Sequence, residues 1–229
     1  VKIRLFSENR QTGMERQNFI ERYGAVLLLA IIYSVGILGH SLENFLPLMK
    51  DLTPFVLLLS IVMVLWFTRS DWNRKVIIWA VSTFVVTFTL EAVGVATGVI
   101  FGKYTYGPTL GPGLFNVPII IGINWVIIIY AIVSILTKVT DNLFAFVFLT
   151  GSATVAFDFV MEPIAMHLNY WNWDYGIIPL QNYVSWFIIS SLAALVYFFL
   201  KQKPQKDLPI YLVIIQLVFF LLLDIILVR

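Results

Sequence analysis

The segment EAVGVATGVIFGKYTYGPTLGPGLFNVP, residues 91–118, separates two long apolar runs of this 229-residue chain. It begins with Glu91, a carboxylate inside apolar sequence, and continues into a loop rich in Gly, Pro and aromatic residues. A charge in the middle of a membrane helix costs at least ~2.5–3.5 kcal/mol, so such a residue usually faces the interior of a helix bundle and has a function. We interpret the segment as the end of a membrane helix, a folded loop and the start of the next helix.

A second segment, DFVMEPIAMHLNYWNWDYGIIPLQN at residues 158–182, follows a similar plan. In each segment an acid is followed by an aromatic loop containing Tyr-Gly and then by an asparagine before an apolar run. The likeness reflects either an internal duplication or coincidence. In both cases we expect the two segments to form one site at one end of a helix bundle.

The composition is that of an integral membrane protein. The chain is 60% hydrophobic and 12% charged, whereas soluble domains have roughly 45–50% apolar and about 25% charged residues. The predicted fold class is all-α, a polytopic transmembrane helical bundle, with a polar segment at 1–19 and a single membrane domain at 20–229. The absence of cysteine and the presence of two histidines exclude thiolate chemistry and histidine-rich di-iron sites. We expect no metal, no cofactor and no nucleic-acid partner.

About seven apolar runs are long enough to span a bilayer, which takes about 20 helical residues. The second run is short and is expected to extend back through 47–53. Twelve of the 15 Lys and Arg residues fall on one side of seven alternating spans. The positive-inside rule therefore predicts a cytoplasmic N-terminus, with both aromatic loops on the outer side. The runs are 20–39, 54–68, 76–101, 118–137, 142–166, 182–200 and 208–228.

Three acids within apolar helices are the candidate catalytic residues: Glu91, Asp158 and Glu162. Asp158 and Glu162 are four residues apart and therefore share one helix face. Two acids this close in an apolar setting resist being ionised together, so one can remain protonated and act as a general acid. Pro163 disfavours helical geometry at Glu162 and predicts a kink there. A further acid, Asp224, is close enough to the chain end to reach the membrane interface.

Gly98 and Gly102 are predicted to lie on nearly the same stripe of one helix as Glu91, with Gly94 beside that stripe. Small residues at four-residue spacing let a neighbouring helix approach closely. We therefore expect the helix that carries Asp158 to pack beside Glu91.

Aromatic and amide side chains supply the candidate substrate contacts. Trp and Tyr gather at membrane interfaces in any case, but here they alternate with Gly and Pro, which is typical of a folded cap, and aromatic faces stabilise cations. Helix capping is the expected role of Asn116 and Asn182, with water positioning as the alternative. His40 is interpreted as an interface residue, with a titratable partner as the alternative. The candidate substrate-binding residues are Tyr104, Tyr106, Asn116, Trp125, Trp171, Trp173, Tyr175, Asn182 and Trp186.

The order and spacing of these motifs resemble the membrane carotenoid biosynthesis proteins. The motifs are E-x-x-G-x-x-x-G-x-x-F-G-x-Y-x-Y-G at 91–107, D-x-x-x-E-P at 158–163, and then Y-W-N-W-D-Y-G and P-L-Q-N-Y-x-x-W. The likeness covers residues 20–200. That family is typified by carotenoid 1′,2′-hydratases and is distantly related to the small membrane lycopene cyclases.

The resemblance implies a cofactor-independent hydratase of the lyase class, in a prokaryotic cytoplasmic membrane. Its substrate is a carotenoid with an acyclic ψ end group, and other carotenoid-pathway enzymes are candidate partners. In this hypothesis Glu162 protonates C2′ of the terminal alkene, and a water activated by Asp158 or Glu91 adds to C1′. A cyclase, in which the C5=C6 bond captures the same cation, is one alternative. A carotenoid-binding membrane protein without enzymatic activity, or a transporter, is the other.

Overall fold

The computed structural model describes residues 23–229, and that range contains seven helices. All seven are long and apolar enough to cross a membrane, which confirms the predicted all-α, polytopic bundle. The polar segment 1–19 and the start of the first predicted run lie outside the described residues. The helices are α1 (Tyr23–His40), α2 (Leu46–Phe67), α3 (Arg74–Thr97), α4 (Ile119–Val139), α5 (Leu143–His167), α6 (Leu180–Leu200) and α7 (Leu208–Leu227).

Two helices differ from the predicted runs at one end. α2 begins at Leu46, so the short second run does extend through 47–53. α3 ends at Thr97, earlier than predicted, because Gly98 takes the left-handed conformation with φ 69°. The N–H of Gly98 donates to the Gly94 carbonyl at 2.7 Å. Glycine ends helices in this way because it has no Cβ to clash in that conformation.

The predicted glycine stripe is therefore wrong. Gly98 and Gly102 lie beyond the end of α3. A Cβ on Gly94 would meet the ring of Phe101, which belongs to the following loop and not to another helix. The helix that reaches the acid of α3 is α4, through Trp125.

α5 continues through Pro163 to His167, so the proline does not end the helix. Proline lacks the N–H that would normally bond to the carbonyl four residues earlier, here that of Phe159. Glu162 therefore stays on the same helix as Asp158, and the kink at Pro163 remains a prediction.

α4 occupies the centre of the bundle. In its most apolar stretch 78% of residues are buried, against 39% or less in the other six described helices. A helix that is apolar on every face is expected to be surrounded on every face. α4 packs against α3, α5 and α7, and α5 packs along α6. The outer helices expose apolar side chains, as expected where lipid is the solvent.

The two aromatic loops meet and form a cap over one end of the bundle. Strand β1 (Tyr104–Tyr106) pairs antiparallel with β4 (Trp171–Trp173), so that each tyrosine of β1 lies opposite a tryptophan. The N–H of Gly107 extends the pairing by donating to the Tyr170 carbonyl at 2.9 Å. A Cβ on Gly107 would overlap the backbone of Asn169, so this approach requires glycine. The folded cap predicted from the sequence is confirmed.

A shorter hairpin lies in the same loop between α3 and α4. Strands β2 (Gly113–Leu114) and β3 (Val117–Pro118) pair antiparallel. The two turn residues, Phe115 and Asn116, have positive φ angles of 53° and 63°, and both side chains are exposed. α4 follows directly, with Pro118 as its N-cap.

The opposite end of the bundle has an aromatic cluster of its own. The Tyr130 ring lies 4.9 Å from Trp72, and the Tyr197 ring lies 4.9 Å from Trp79, measured between centroids. Within residues 23–229 the hydroxyls of both tyrosines are buried without a hydrogen-bond partner. This cluster does not line the cavity under the cap.

Candidate functional site

A cavity of about 290 Å³ lies under the cap and is lined by side chains from each of the seven described helices. All three candidate catalytic acids are among the lining residues. The lining also includes Ile31 and Val35 of α1 and Leu52 of α2, whose side chains are 52%, 55% and 40% exposed. The cavity therefore reaches the lipid-facing surface where α1 and α2 border it.

Glu91 is held by three donors and is buried. The hydroxyls of Tyr104 and Tyr106 both donate to its Oε2, the latter at 2.8 Å. The indole N–H of Trp125 donates to its Oε1 at 2.9 Å. The two tyrosines reach the same oxygen because alternate residues of a strand project to the same side.

Glu162 is held in the same way by β4. The indole N–H groups of Trp171 and Trp173 donate to its Oε2 at 2.9 and 2.8 Å. Asn182 of α6 donates from Nδ2 to its Oε1 at 3.2 Å. An indole has a donor but no acceptor, so this arrangement suits a carboxylate that only accepts.

Asp158 differs from the other two acids. The same Asn182 amide donates to its Oδ2 at 2.7 Å, so one NH₂ group bridges Asp158 and Glu162. The predicted shared face of these two acids is thereby confirmed. Among the described residues, Asp158 Oδ1 has no hydrogen-bond partner although it is fully buried. A buried polar atom left in this state costs about 1–3 kcal/mol and is a natural place for a ligand or a proton.

The two tyrosines of β1 belong to the cap, outside the membrane-spanning helices. Burial, and then the neighbouring Glu91 carboxyl, raises the pKa of both Tyr104 and Tyr106 above the usual phenol value. Both hydroxyls therefore stay protonated at neutral pH and remain donors to Glu91.

Aromatic rings form much of the cavity wall near the acids. The Trp125 and Trp186 rings are stacked. The Tyr104 ring lies 4.8 Å from that of Trp173, and Tyr106 packs edge-on to Trp171. Rings of this kind stabilise a positive charge placed over their faces, and the acids supply negative charge in the same apolar volume.

Seven of the nine candidate substrate-binding residues line this cavity, and the other two do not. Asn116 lies in the exposed turn of the β2–β3 hairpin. Tyr175 has a side chain that is 96% exposed and a φ of 60°. The residues that the structure does bring together with the acids are Tyr104, Tyr106, Trp125, Trp171, Trp173, Asn182 and Trp186.

The predicted capping role of the two asparagines is wrong. α4 begins after Pro118 and α6 begins after Pro179. Each proline has an extended conformation that ends the loop at that point. Asn116 is consequently left outside its helix, whereas Asn182 lies inside α6 with its amide on the acids of α5.

Sequence reasoning missed the wall formed by α1, α2 and α7. His40, the last residue of α1, is 5% exposed and lines the cavity, which the sequence did not predict. Tyr33, Thr53 and Gln216 also line it. A polar side chain in the middle of an apolar run could have indicated that these helices line a cavity. The clearest case is Gln216 in α7.

Asp224, in contrast, lies in the last turn of α7. Arg229 donates from Nε to its Oδ2 at 2.8 Å. It does not line the cavity, so its role is an ion pair at the end of α7.

Comparisons with known proteins agree with these observations. The profile of a protein family described as carotenoid biosynthesis protein matches residues 52–229. A curated relative from Haloarcula japonica, named bisanhydrobacterioruberin hydratase, is 29% identical over 192 residues. The aligned region is 78% of this chain and 64% of the relative, so it spans less than two thirds of the relative's length. No solved structure matches the chain.

Proposed function

The chain belongs to the carotenoid biosynthesis protein family, and we propose that it is a hydratase that adds water to a carotenoid. The proposed substrate is a polyene with an acyclic ψ end group, and the reacting bond is the terminal C1′=C2′ alkene. The product is a tertiary alcohol at C1′. The relative's name supports hydration, and the acids under an aromatic cap support protonation of an alkene followed by capture of a cation.

The proposal rests on the hydrogen bonding of the two carboxylate oxygens of Asp158. Within the described chain its Oδ1 is buried without a partner, while Oδ2 is fixed by Asn182. A proton on Oδ1 would have the alkene as its acceptor when substrate fills the cavity. We therefore assign proton donation to Asp158, in place of the Glu162 favoured by sequence alone.

Glu162 is better suited to act as the base. Its Oε2 is occupied by two indole donors, whereas its Oε1 receives the longer bond from Asn182, at 3.2 Å. That oxygen can also accept a hydrogen bond from a water molecule. General base catalysis by a positioned carboxylate contributes about 10²–10⁴-fold in rate.

Glu91 and the aromatic wall have an electrostatic role in this mechanism. Protonation of C2′ leaves a tertiary cation at C1′, and fixed negative charge stabilises it without reorganisation. The Trp125 and Trp186 rings line the same volume and add cation–π stabilisation. Glu91 is anchored by three donors, which keeps its charge in place.

The steps balance as follows. Asp158 loses a proton to C2′, a water oxygen bonds to C1′, and Glu162 takes one proton from that water. Proton transfer from Glu162 back to Asp158, which share the Asn182 amide, restores the starting state. The net reaction adds one water to one alkene.

Expression of the full chain in a host that makes an acyclic carotenoid tests the proposal. The expected product is heavier than the substrate by one water and carries a tertiary alcohol, as determined by chromatography and mass spectrometry. An isomeric, ring-containing product would identify a cyclase instead. Unaltered carotenoid that copurifies with the protein would identify a binding protein.

We further propose that the cap lies on the outer face of the cytoplasmic membrane with the N-terminus inside. The support is the distribution of Lys and Arg among the connecting loops. A reporter fused after Lys103 should report the outer side of the membrane, and a reporter fused after Lys203 should report the cytoplasmic side. The reverse assignment, or the same side at both positions, would refute this orientation.

A further inference from the structure

His40 provides a second polar position in the cavity, and the proposed mechanism does not use it. Its Nδ1 donates to the Gly36 carbonyl at 2.7 Å, since a carbonyl can only accept. In the neutral ring this fixes the proton on Nδ1 and leaves Nε2 as an acceptor. Nε2 is buried and has no hydrogen-bond partner in the described part of the chain.

The other polar side chains on this wall have hydrogen-bond partners. Gln216 donates from Nε2 to the Tyr33 hydroxyl at 3.0 Å, and that hydroxyl lies 3.3 Å from Ser60 Oγ. Among the described residues of α1, α2 and α7 that line the cavity, the His40 acceptor is thus the buried polar atom left without a partner.

Packing holds the His40 ring in this position. The ring of Phe219 on α7 lies edge-on to both His40 and Tyr33, with centroids 5.7 and 5.4 Å away. Gly36 lies between them on α1, and a Cβ there would approach Phe219 to 3.2 Å. The absence of a side chain at Gly36 therefore lets α7 pack closely enough to fix the imidazole.

We propose that His40 is the acceptor of a subsite for an alcohol hydroxyl on the carotenoid. This inference rests on the proposed function, because the ligand is then a polyene chain. Among apolar side chains, the imidazole acceptor cannot form a hydrogen bond with the hydrocarbon part of a bound polyene. It can accept one from an O–H group on that polyene. The hydroxyl has two possible sources: it is already present on the substrate, or it is the tertiary alcohol that hydration creates.

The test compares two substrates in proteoliposomes that contain the full chain. One is an acyclic carotenoid hydrocarbon, and the other is the same polyene with a hydroxyl near the reacting end. His40→Phe keeps a ring and removes the acceptor. If the subsite binds a substrate hydroxyl, this variant lowers the ratio of kcat/KM for the hydroxylated substrate to that for the hydrocarbon about 3- to 10-fold, the value of one hydrogen bond.

A second arm distinguishes the two sources. If the ratio is unchanged but the alcohol product inhibits His40→Phe 3- to 10-fold less strongly than wild type, the subsite binds the product hydroxyl. If both the ratio and the product inhibition stay within twofold of wild type, the subsite does not exist. His40→Gln, whose amide oxygen can accept, should recover part of the loss, which general damage to the fold would not do.

Tyr130→Phe is the matched control. It also removes a buried polar atom that lacks a partner within residues 23–229, but at the opposite end of the bundle. The ratio and the inhibition should match those of wild type in this variant. Binding of both polyenes, followed by quenching of tryptophan fluorescence, provides a readout without catalysis. If wild type forms no hydrated product, the proposed function fails, and the binding comparison still decides whether the subsite exists.

Discussion

The Glu91 and Glu162 regions of the molecule are built on one plan, and the proposed mechanism gives them different roles. In each, a helix presents a glutamate to a strand of the cap, and alternate aromatic residues of that strand donate to one carboxylate oxygen. The two strands pair with each other, so the two glutamates are held from one small sheet. The difference lies four residues earlier, where α3 has Thr87 and α5 has Asp158.

That single position separates an acid held by three donors from two acids that share one amide group. The Thr87 hydroxyl donates to the Thr83 carbonyl of its own helix at 2.8 Å and is thereby satisfied. Asp158 shares the Asn182 amide with its neighbour and, in the described residues, keeps one buried oxygen without a partner. In the proposed mechanism, two regions of similar design thus differ in role: one fixes a charge and the other moves protons.

The largest expected effect follows from removing the proposed proton donor. Asp158→Asn retains the shape of the side chain and a bond to Asn182 but has no acidic proton, so hydration should fall about 10²–10⁴-fold. The measurement is product formation by mass spectrometry, with protein amount and monodispersity checked in detergent. Thr87→Val is the matched change in the other region and should cost less than about threefold. An active Asp158→Asn enzyme would remove the distinction between the two regions.

The two glutamates should respond unequally to the same change. Glu162→Gln removes the proposed base and should lower kcat about 10²-fold, with little change in KM. Glu91→Gln weakens electrostatic stabilisation of the cation and should cost about tenfold in kcat. Steady-state kinetics on both variants measures and compares the two losses in kcat. If Glu91→Gln is the more damaging, the base belongs to α3 and the assignment is reversed.

A smaller effect is expected when one donor is removed from the anchored acid. Tyr106→Phe deletes a hydrogen bond to a carboxylate, which should lower the free energy of unfolding by about 1.5–3 kcal/mol. Activity should fall only several-fold because two donors to Glu91 remain. Denaturation in detergent and product formation measure the two quantities. A loss of activity as large as that of Asp158→Asn would mean that Tyr106 itself takes part in the chemistry.

The smallest effect is expected at the cap residues that point away from both acids. Tyr175→Ala and Asn116→Ala change exposed side chains in turns, so the rate of hydration should stay within twofold of wild type. Product formation under the same conditions measures this. A tenfold loss in either variant would show that the substrate contacts the outer surface of the cap.

The helices and the acids were predictable because each leaves a local mark on the sequence. A carboxylate such as Glu91 stands out in apolar surroundings, and helix periodicity alone puts Asp158 and Glu162 on one face. The alternation of spans also correctly predicted that the two aromatic loops meet. These inferences need the length and the direction of each helix but no knowledge of how the helices pack.

The remaining features depend on packing and on local backbone choices. Gly98 fits a helix pattern by spacing, yet it ends α3 because it tolerates positive φ. Asn182 looks like a cap by position, yet the preceding proline starts the helix earlier. His40 becomes a cavity residue only because α1 packs against α7, and a single sequence carries no direct signal of that contact.

The exposed position of Ile31, Val35 and Leu52 at the edge of the cavity has a consequence for enzymology. A polyene that enters there arrives from the bilayer, so the concentration that sets the rate is its mole fraction among lipids. Diluting proteoliposomes with buffer should leave the rate per enzyme unchanged, whereas fusing them with empty vesicles should lower it in proportion. For the proposed reaction the membrane is thus the solvent, and lipid content is a variable that any measured KM must specify.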